Sequence, residues 1–150
     1  MLIAIFGESC TGKSTLAARL QPLLDAEVCT GRDYLRLAKN EAEAEGLFKA
    51  KLWEAVNGPH LIYVIAEKSL LAFVPEGAVR ILVTADLAVI KERFAKRMHG
   101  NLPAPVAAML ERDHGRFDGE PCDLQIISGQ TEPEAVLDLL RAKGLTLAQD

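Results

Sequence analysis

Cysteine is scarce and does not pair up. The chain holds three, Cys10, Cys29 and Cys122. The number is odd, and the spacing fits neither a zinc site nor a redox pair, so three reduced thiols in a cytosolic protein are expected. Long apolar runs are missing as well: nothing approaches the roughly 20 residues of a membrane span. The opening MLIAIFGES lacks a basic segment and has too short an apolar one for a secretory leader. A cytoplasmic chain, intact from Met1 and without a membrane partner, is expected. Basic charge is in deficit. With 17 Lys and Arg against 21 Asp and Glu the net charge is −4, a poor basis for binding nucleic acid or an anionic surface. Internal repeats, low-complexity tracts and linkers are absent. What remains is one domain of 150 residues, 49% hydrophobic and 25% charged. A chain of that size buries roughly 70% of its extended surface on folding.

Short apolar runs alternate with longer amphipathic segments, as in βα units on a parallel sheet. Leu2 to Phe6 is a continuous apolar run ending at Gly7 and reads as a buried central strand. Ala26 to Thr30, Leu61 to Ala66, Val79 to Thr84 and Leu124 to Ser128 read as further strands. Helices are expected from Lys13 to about Gln21, limited by Pro22, and from Tyr34 to about Glu45. Gly46 should interrupt the latter before it resumes over Leu47 to Val56. Asp86 can cap a helix reaching about Met98, Pro105 fits the first turn of one reaching about His114, and Glu132 to Ala142 is the last. The expected fold class is α/β, a three-layer αβα sandwich on five strands.

Residues 7 to 14 read Gly7-Glu8-Ser9-Cys10-Thr11-Gly12-Lys13-Ser14, the G-x-x-x-x-G-K-S phosphate-loop (Walker A) pattern, followed by Thr15. A strand must end and a helix begin, with backbone N–H groups turned inward around an anion. Gly7 and Gly12 permit the backbone angles, and the helix N-terminus adds partial positive charge. Lys13 supplies a mobile charge for the β- and γ-phosphates, and Ser14 offers a hydroxyl to Mg²⁺. ATP or GTP binding follows; the reaction does not, because this loop serves many chemistries.

Thr30-Gly31-Arg32-Asp33-Tyr34-Leu35-Arg36 follows the second strand, where an open α/β sheet places ligand-binding groups. Asp33 and Arg36 could face the phosphate loop; equally, Asp33 could cap a helix with Arg36 in solvent. Lys91 to Arg116 is basic, with six basic against three acidic residues, a local balance of +3 that leaves −7 elsewhere. Arg93 and Arg97 are four apart, as are Arg112 and Arg116, a spacing that puts each pair on one helix face. Joined through Gly100-Asn101-Leu102-Pro103, the pairs could close as a flap over a polyphosphate and exclude water. A solvated basic face is the plainer alternative. Glu67, ending the third strand, could hold a metal-bound water, orient an acceptor, or start an exposed helix. His99 and His114 read as surface or helix-end residues, and Phe48 and Trp53 as core.

On these residues the chain resembles the nucleoside monophosphate kinases, nearest the cytidylate kinase branch of that adenylate kinase-like group. GESCTGKST matches the family's phosphate loop. CTGRDYLR is similar to its acceptor segment, with Arg32 inserted between Gly31 and Asp33. VRILVTADLAVIKERFAKR and ERDHGRFDGEPCDLQIIS resemble its arginine-bearing lid and fifth strand. The resemblance implies strand order 2-3-1-4-5 and a short lid at about 93–116. It implies an acceptor segment at about 31–59, with Gly31, Asp33, Arg36 and Glu67 toward the acceptor. It gives ATP and Mg²⁺ as cofactors, with Asp33 behind Ser14 at the metal. Lys13, Arg93, Arg97, Arg112 and Arg116 would act on the transferring group. After strand three the family carries an acid, a Gly and an Arg, where this chain reads Ala66-Glu67-Lys68-Ser69.

The expected activity is ATP-dependent phosphoryl transfer to a small acceptor, a nucleoside monophosphate such as CMP, by a monomer or a dimer. The alternatives are a metabolite kinase of the shikimate or gluconate type and an ATP-binding regulatory module with little turnover. A GTPase is disfavoured by the lack of Asn-Lys-x-Asp.

Overall fold

A computed structural model describes residues 1–129 and 134–146. Its strands are β1 (Leu2–Phe6), β2 (Glu27–Thr30), β3 (Leu61–Ile65), β4 (Val79–Thr84) and β5 (Leu124–Ile127). Its α-helices are α1 (Lys13–Leu24), α2 (Glu41–Val56), α3 (Leu87–Arg97), α4 (Ala104–Asp113) and α5 (Glu134–Ala142). Short 3₁₀ segments cover Asp33–Leu37 and Lys68–Phe73. The expected last helix therefore begins at Glu134; Glu132 lies outside the described residues. Among the described residues no helix is long and apolar enough to cross a membrane.

The five strands form one sheet in the order β2-β3-β1-β4-β5, every neighbouring pair parallel. This is the expected three-layer α/β fold. Side chains alternate along each strand and feed two cores. Ile3 and Ile5 of β1 face Leu16, Ala17 and Leu20 of α1 and Val136 and Leu140 of α5. Leu2, Ala4 and Phe6 face the other way, toward Ala44, Phe48, Leu52 and Ala55 of α2. Central strands buried on both faces must be apolar throughout, which is why β1 and β3 carry no polar position except the Tyr63 hydroxyl. That hydroxyl donates to the Gly31 carbonyl at 2.8 Å.

Two helical expectations are corrected. Pro22 does not end α1: the helix runs on to Leu24 and closes at Asp25, in the left-handed region at φ 50°. One turn from the end, a proline removes one hydrogen bond and little else. The segment 34–56 is not a helix broken at Gly46. Tyr34 lies in the 3₁₀ turn, and α2 starts after Asn40, whose side chain accepts from the Glu43 N–H at 3.1 Å. The helix then passes straight through Gly46. A helical glycine costs about 1 kcal/mol against alanine, and burial of Phe48 and Leu52 outweighs it. Phe48 is core as expected, stacked on Tyr34 with ring centroids 5.1 Å apart. Trp53 is not: one residue past buried Leu52, it turns outward and is 68% exposed.

Candidate functional site

The phosphate loop hangs between three strands. The Gly7 N–H donates to the Ile65 carbonyl of β3 at 3.2 Å. A Cβ at Gly7 would stand 2.1 Å from the Val83 carbonyl oxygen of β4, so no other residue fits. Cys10 takes the left-handed backbone (φ 64°), as does Gly12 (φ 103°). The buried Thr11 hydroxyl donates to the Glu8 carbonyl at 2.9 Å, and Lys13 Nζ donates to the same oxygen. α1 then begins with no side-chain cap and no acid in its first turn. Its leading N–H groups are left for an anion.

Lys13 is 6% exposed. Burial, with a smaller push from the Arg97 charge, brings its ammonium pKa down to about 8. A polyphosphate beside Lys13 favours the charged form again. Binding of ATP or tripolyphosphate at pH 8 should therefore take up about half a proton per site. Calorimetric enthalpies in buffers of different ionisation heat would show it, and no buffer dependence would remove Lys13 from the anion site. Because the free protein loses this proton at lower pH than the complex, affinity should fall as pH rises above about 8.

Two cavities open on either side of the loop. The larger, about 660 Å³, lies between α1, α3 and the end of β5, with Arg19, Arg93, Lys96, Ser128 and Gly129 on its walls. The smaller, about 220 Å³, is closed by Thr30, Gly31, Ala66, Glu67 and Leu70, and also takes in Ser9, Lys13 and Ser14. Cys10, Gly12, Thr15 and Arg97 line both.

The basic segment is a packed helical hairpin. α3 and α4 share a small core of Ile90 and Leu110 with Phe94, Val106 and Met109, and Cys10 of the phosphate loop is part of it. Lys91 and Glu111 pair across the hairpin. Past α4, Phe117 is 2% exposed and rests on Phe6, ring centroids 5.9 Å apart. Glu8 receives the Gly115 N–H on one carboxylate oxygen and lies 3.0 Å from His114 Nδ1 with the other. Both ends of the expected flap are thus fastened to the core.

The four arginines separate. Arg93 donates to the Cys10 carbonyl at 3.0 Å and to Ser128 Oγ at 2.8 Å. Arg97, one turn on, faces both cavities. Arg112 lies on exposed α4 surface, 3.6 Å from Asp113. Arg116 sits 3.9 Å from Asp113 and 5.5 Å from the Phe117 ring centroid. His99 ends the hairpin's first helix in a left-handed turn (φ 62°), outside both cavities.

On the side of the smaller cavity, Gly31 is fixed by its N–H to the Val64 carbonyl at 2.9 Å. Asp33 and Arg36 face each other at 4.0 Å in the exposed 3₁₀ turn, the Arg36 side chain 84% accessible. Neither lines the smaller cavity: Arg36 stands in solvent, and Asp33 is the first residue of the turn, with Arg32 at the cap position and no side-chain cap bond. Glu67 does line it and is engaged by Arg32, whose Nη2 stands 2.9 Å and Nε 3.1 Å from Glu67 Oε2. That hydrogen bond, and the charges of Arg32 and Arg116, hold the Glu67 carboxyl below the usual range. Lys68 turns away to Glu120 at 3.2 Å. Arg32 and Ser128 were not legible as site residues. Arg32 looked like an insertion, and Ser128 offered no signal beyond its place after the fifth apolar run.

No protein-family model and no curated protein matches this sequence. Solved structures match it in shape. Shikimate kinase from Acinetobacter baumannii in complex with shikimate gives a TM-score of 0.63 at 16% identity, over 97% of this chain and 95% of that one. A gluconokinase from Sinorhizobium meliloti 1021 gives 0.57 at 15%, over 94% and 90%. The tunicamycin resistance protein of Deinococcus radiodurans gives 0.63 at 20%, over 98% and 97%. At such identities the likeness is one of fold. The chain shares the fold of these structures, and the likeness singles out no branch and no substrate.

Proposed function

We propose that the chain is an ATP-dependent phosphotransferase, one kinase domain over residues 1–150, acting on a small molecule. The observation that carries this reading is the shared wall. A cleft large enough for a nucleoside triphosphate and a smaller pocket meet at the phosphate loop, with the Arg97 cation on their shared wall and Lys13 on the wall of the smaller one.

In this reading residues 7 to 15 surround the donor phosphates, their N–H groups supplying most of the contacts. Lys13 leaves the Glu8 carbonyl for the phosphates. Among the described residues no three His, Cys, Asp or Glu are placed to hold a metal. That suits Mg²⁺, which keeps several waters and takes one or two protein ligands beside phosphate oxygens. Ser14 would be its ligand, with Glu67 on the same wall in reach of its waters. When bound, Mg²⁺ neutralises charge on the donor phosphates. Arg97 then offers a planar fork of donors where charge builds on the transferring group. A flanking pocket fixes the acceptor in line, so positioning and charge neutralisation supply the catalysis.

For the acceptor, a metabolite of the shikimate or gluconate size is favoured over a nucleoside monophosphate. The smaller cavity, about 220 Å³ including the part lined by Lys13 and Ser14, leaves less room for an acceptor that carries a nucleobase than for one of a single ring or short chain. Arg36, expected to grip an acceptor phosphate, stands in solvent. Arg36→Ala should therefore change the acceptor KM less than about twofold. A rise of about tenfold with kcat unchanged would return the acceptor phosphate to this turn and support a CMP-type substrate.

ADP formation from Mg·ATP across CMP, dCMP, UMP, AMP, GMP, shikimate, gluconate and neutral sugars tests the whole reading, with Lys13→Ala as the blank. Turnover with a sugar or sugar acid supports it, and turnover with one monophosphate moves the acceptor class. Tight ATP binding without stimulation by any acceptor favours the regulatory module.

A further inference from the structure

From its place between the phosphate loop and the end of β5, we infer that Arg93 is a positioning residue that locks the donor cleft into shape before nucleotide arrives. This rests on the reading of the larger cavity as a nucleotide site. Arg93 carries the spacing of a phosphate-clamping arginine, but its guanidinium is already occupied. Nη1 donates to the Cys10 carbonyl at 3.0 Å and Nη2 to Ser128 Oγ at 2.8 Å. A Cβ placed on Gly12 would lie 4.0 Å from Nη1 and 3.9 Å from Ser128 Oγ. The fork therefore lies alongside the turn that leads into Lys13.

A phosphate loop turns its N–H groups inward, and its carbonyls must find donors outside. Cys10 holds the most demanding position, a left-handed backbone on a residue with a side chain. Its carbonyl takes Arg93, and its side chain is buried with Ile90 and Leu110 of the hairpin. α3 thus grips this residue by one polar and one apolar contact. The second arm of the fork reaches Ser128, beside Gly129 on the wall across the cleft. One side chain ties together the loop that meets the phosphates, the hairpin, and the wall beyond. A residue spent in this way does not follow a moving phosphoryl group; it fixes the groups that do.

The test is a double-mutant cycle on Arg93→Ala and Ser128→Ala, read first as Mg·ATP affinity and then as kinetics. Arg93→Ala should weaken ATP about tenfold or more and raise its KM, with kcat nearly unchanged. Ser128→Ala should give a smaller loss of the same kind, and the double variant should match Arg93→Ala alone, because both remove one link. Arg93→Lys, which keeps charge without the fork, should recover little. A thermal midpoint for each variant separates a lost strut from a lost fold, and Ser128→Ala is mild enough to report alone. Additive losses, or a kcat loss with KM unchanged, would overturn the inference and return Arg93 to the transferring group. Wild-type protein that binds no ATP would instead defeat the nucleotide reading, while ATP bound equally by wild type and Arg93→Ala would defeat only the inference.

Discussion

Lys13→Met should cut phosphoryl transfer about a thousandfold or more without unfolding the protein. The size follows from what Lys13 is placed to do. It is the one full charge that the phosphate loop itself aims into the anion site, and it acts where water is largely excluded. The second half of the expectation follows from its burial. The charged ammonium is disfavoured in the folded protein, as its pKa of about 8 records, so an apolar side chain of similar length relieves a cost. The thermal midpoint at pH 7 should hold or rise, and a coupled ADP assay beside a melting curve measures both. Activity within tenfold of wild type would refute the assigned role. A collapsed midpoint would make Lys13 structural.

Arg97→Ala should lower kcat about a hundredfold or more while ATP affinity changes a few-fold. Arg97 lines both cavities beside the phosphate loop, those proposed for donor and acceptor. Among the described residues it makes no hydrogen bond or ion pair, and its charge is felt at Lys13. An arginine free to turn toward developing charge acts mainly in the transition state, and such residues are worth about 10³–10⁵ in other phosphoryl transfers. Arg97→Lys should recover part of the charge effect but not the bidentate fork. Equal losses in kcat/KM and ATP affinity with kcat intact would show an arginine that merely binds the donor. The contrast with Arg93 is sharp: one turn apart on one helix, the first should act through KM and the second through kcat.

The sheet and the phosphate loop were legible because their constraints are local. A strand buried on both faces has to be apolar throughout, which marks Leu2–Phe6 and Leu61–Ile65 without reference to the rest of the chain. The loop's glycines and Lys13 are demanded by backbone geometry and charge within eight residues. The strand order came from resemblance, since nothing in the runs themselves says which strand lies beside which. What could not be read depends on contacts distant in sequence. Gly46 looked like a break because its cost is local, while its compensation, Phe48 stacked on Tyr34 and edge-on to Tyr63, is not. Arg93 has the spacing of a phosphate ligand and Arg36 the place of one after the second strand, and neither cue reveals that Arg36 ends in solvent and Arg93 on Ser128. The role of Arg32 is not legible locally, because its partner, Glu67, lies 35 positions away.

Of the five strands β1 comes first in sequence, yet it is the middle strand of the finished sheet. Leu2 pairs with Leu61 on one side, and Ile3 with Val79 on the other. Until both partners have been synthesised, LIAIF is an apolar ribbon with two bare edges. The phosphate loop waits with it, because Gly7 leans on Ile65 and Val83 alike. Closing such long loops costs only slowly more with length, but pairing between distant segments sets the folding rate. Nascent chains stopped short of residue 79 should thus be the species that chaperones hold and that aggregate when they do not. The candidate site therefore forms late, once β3 and β4 are both in place.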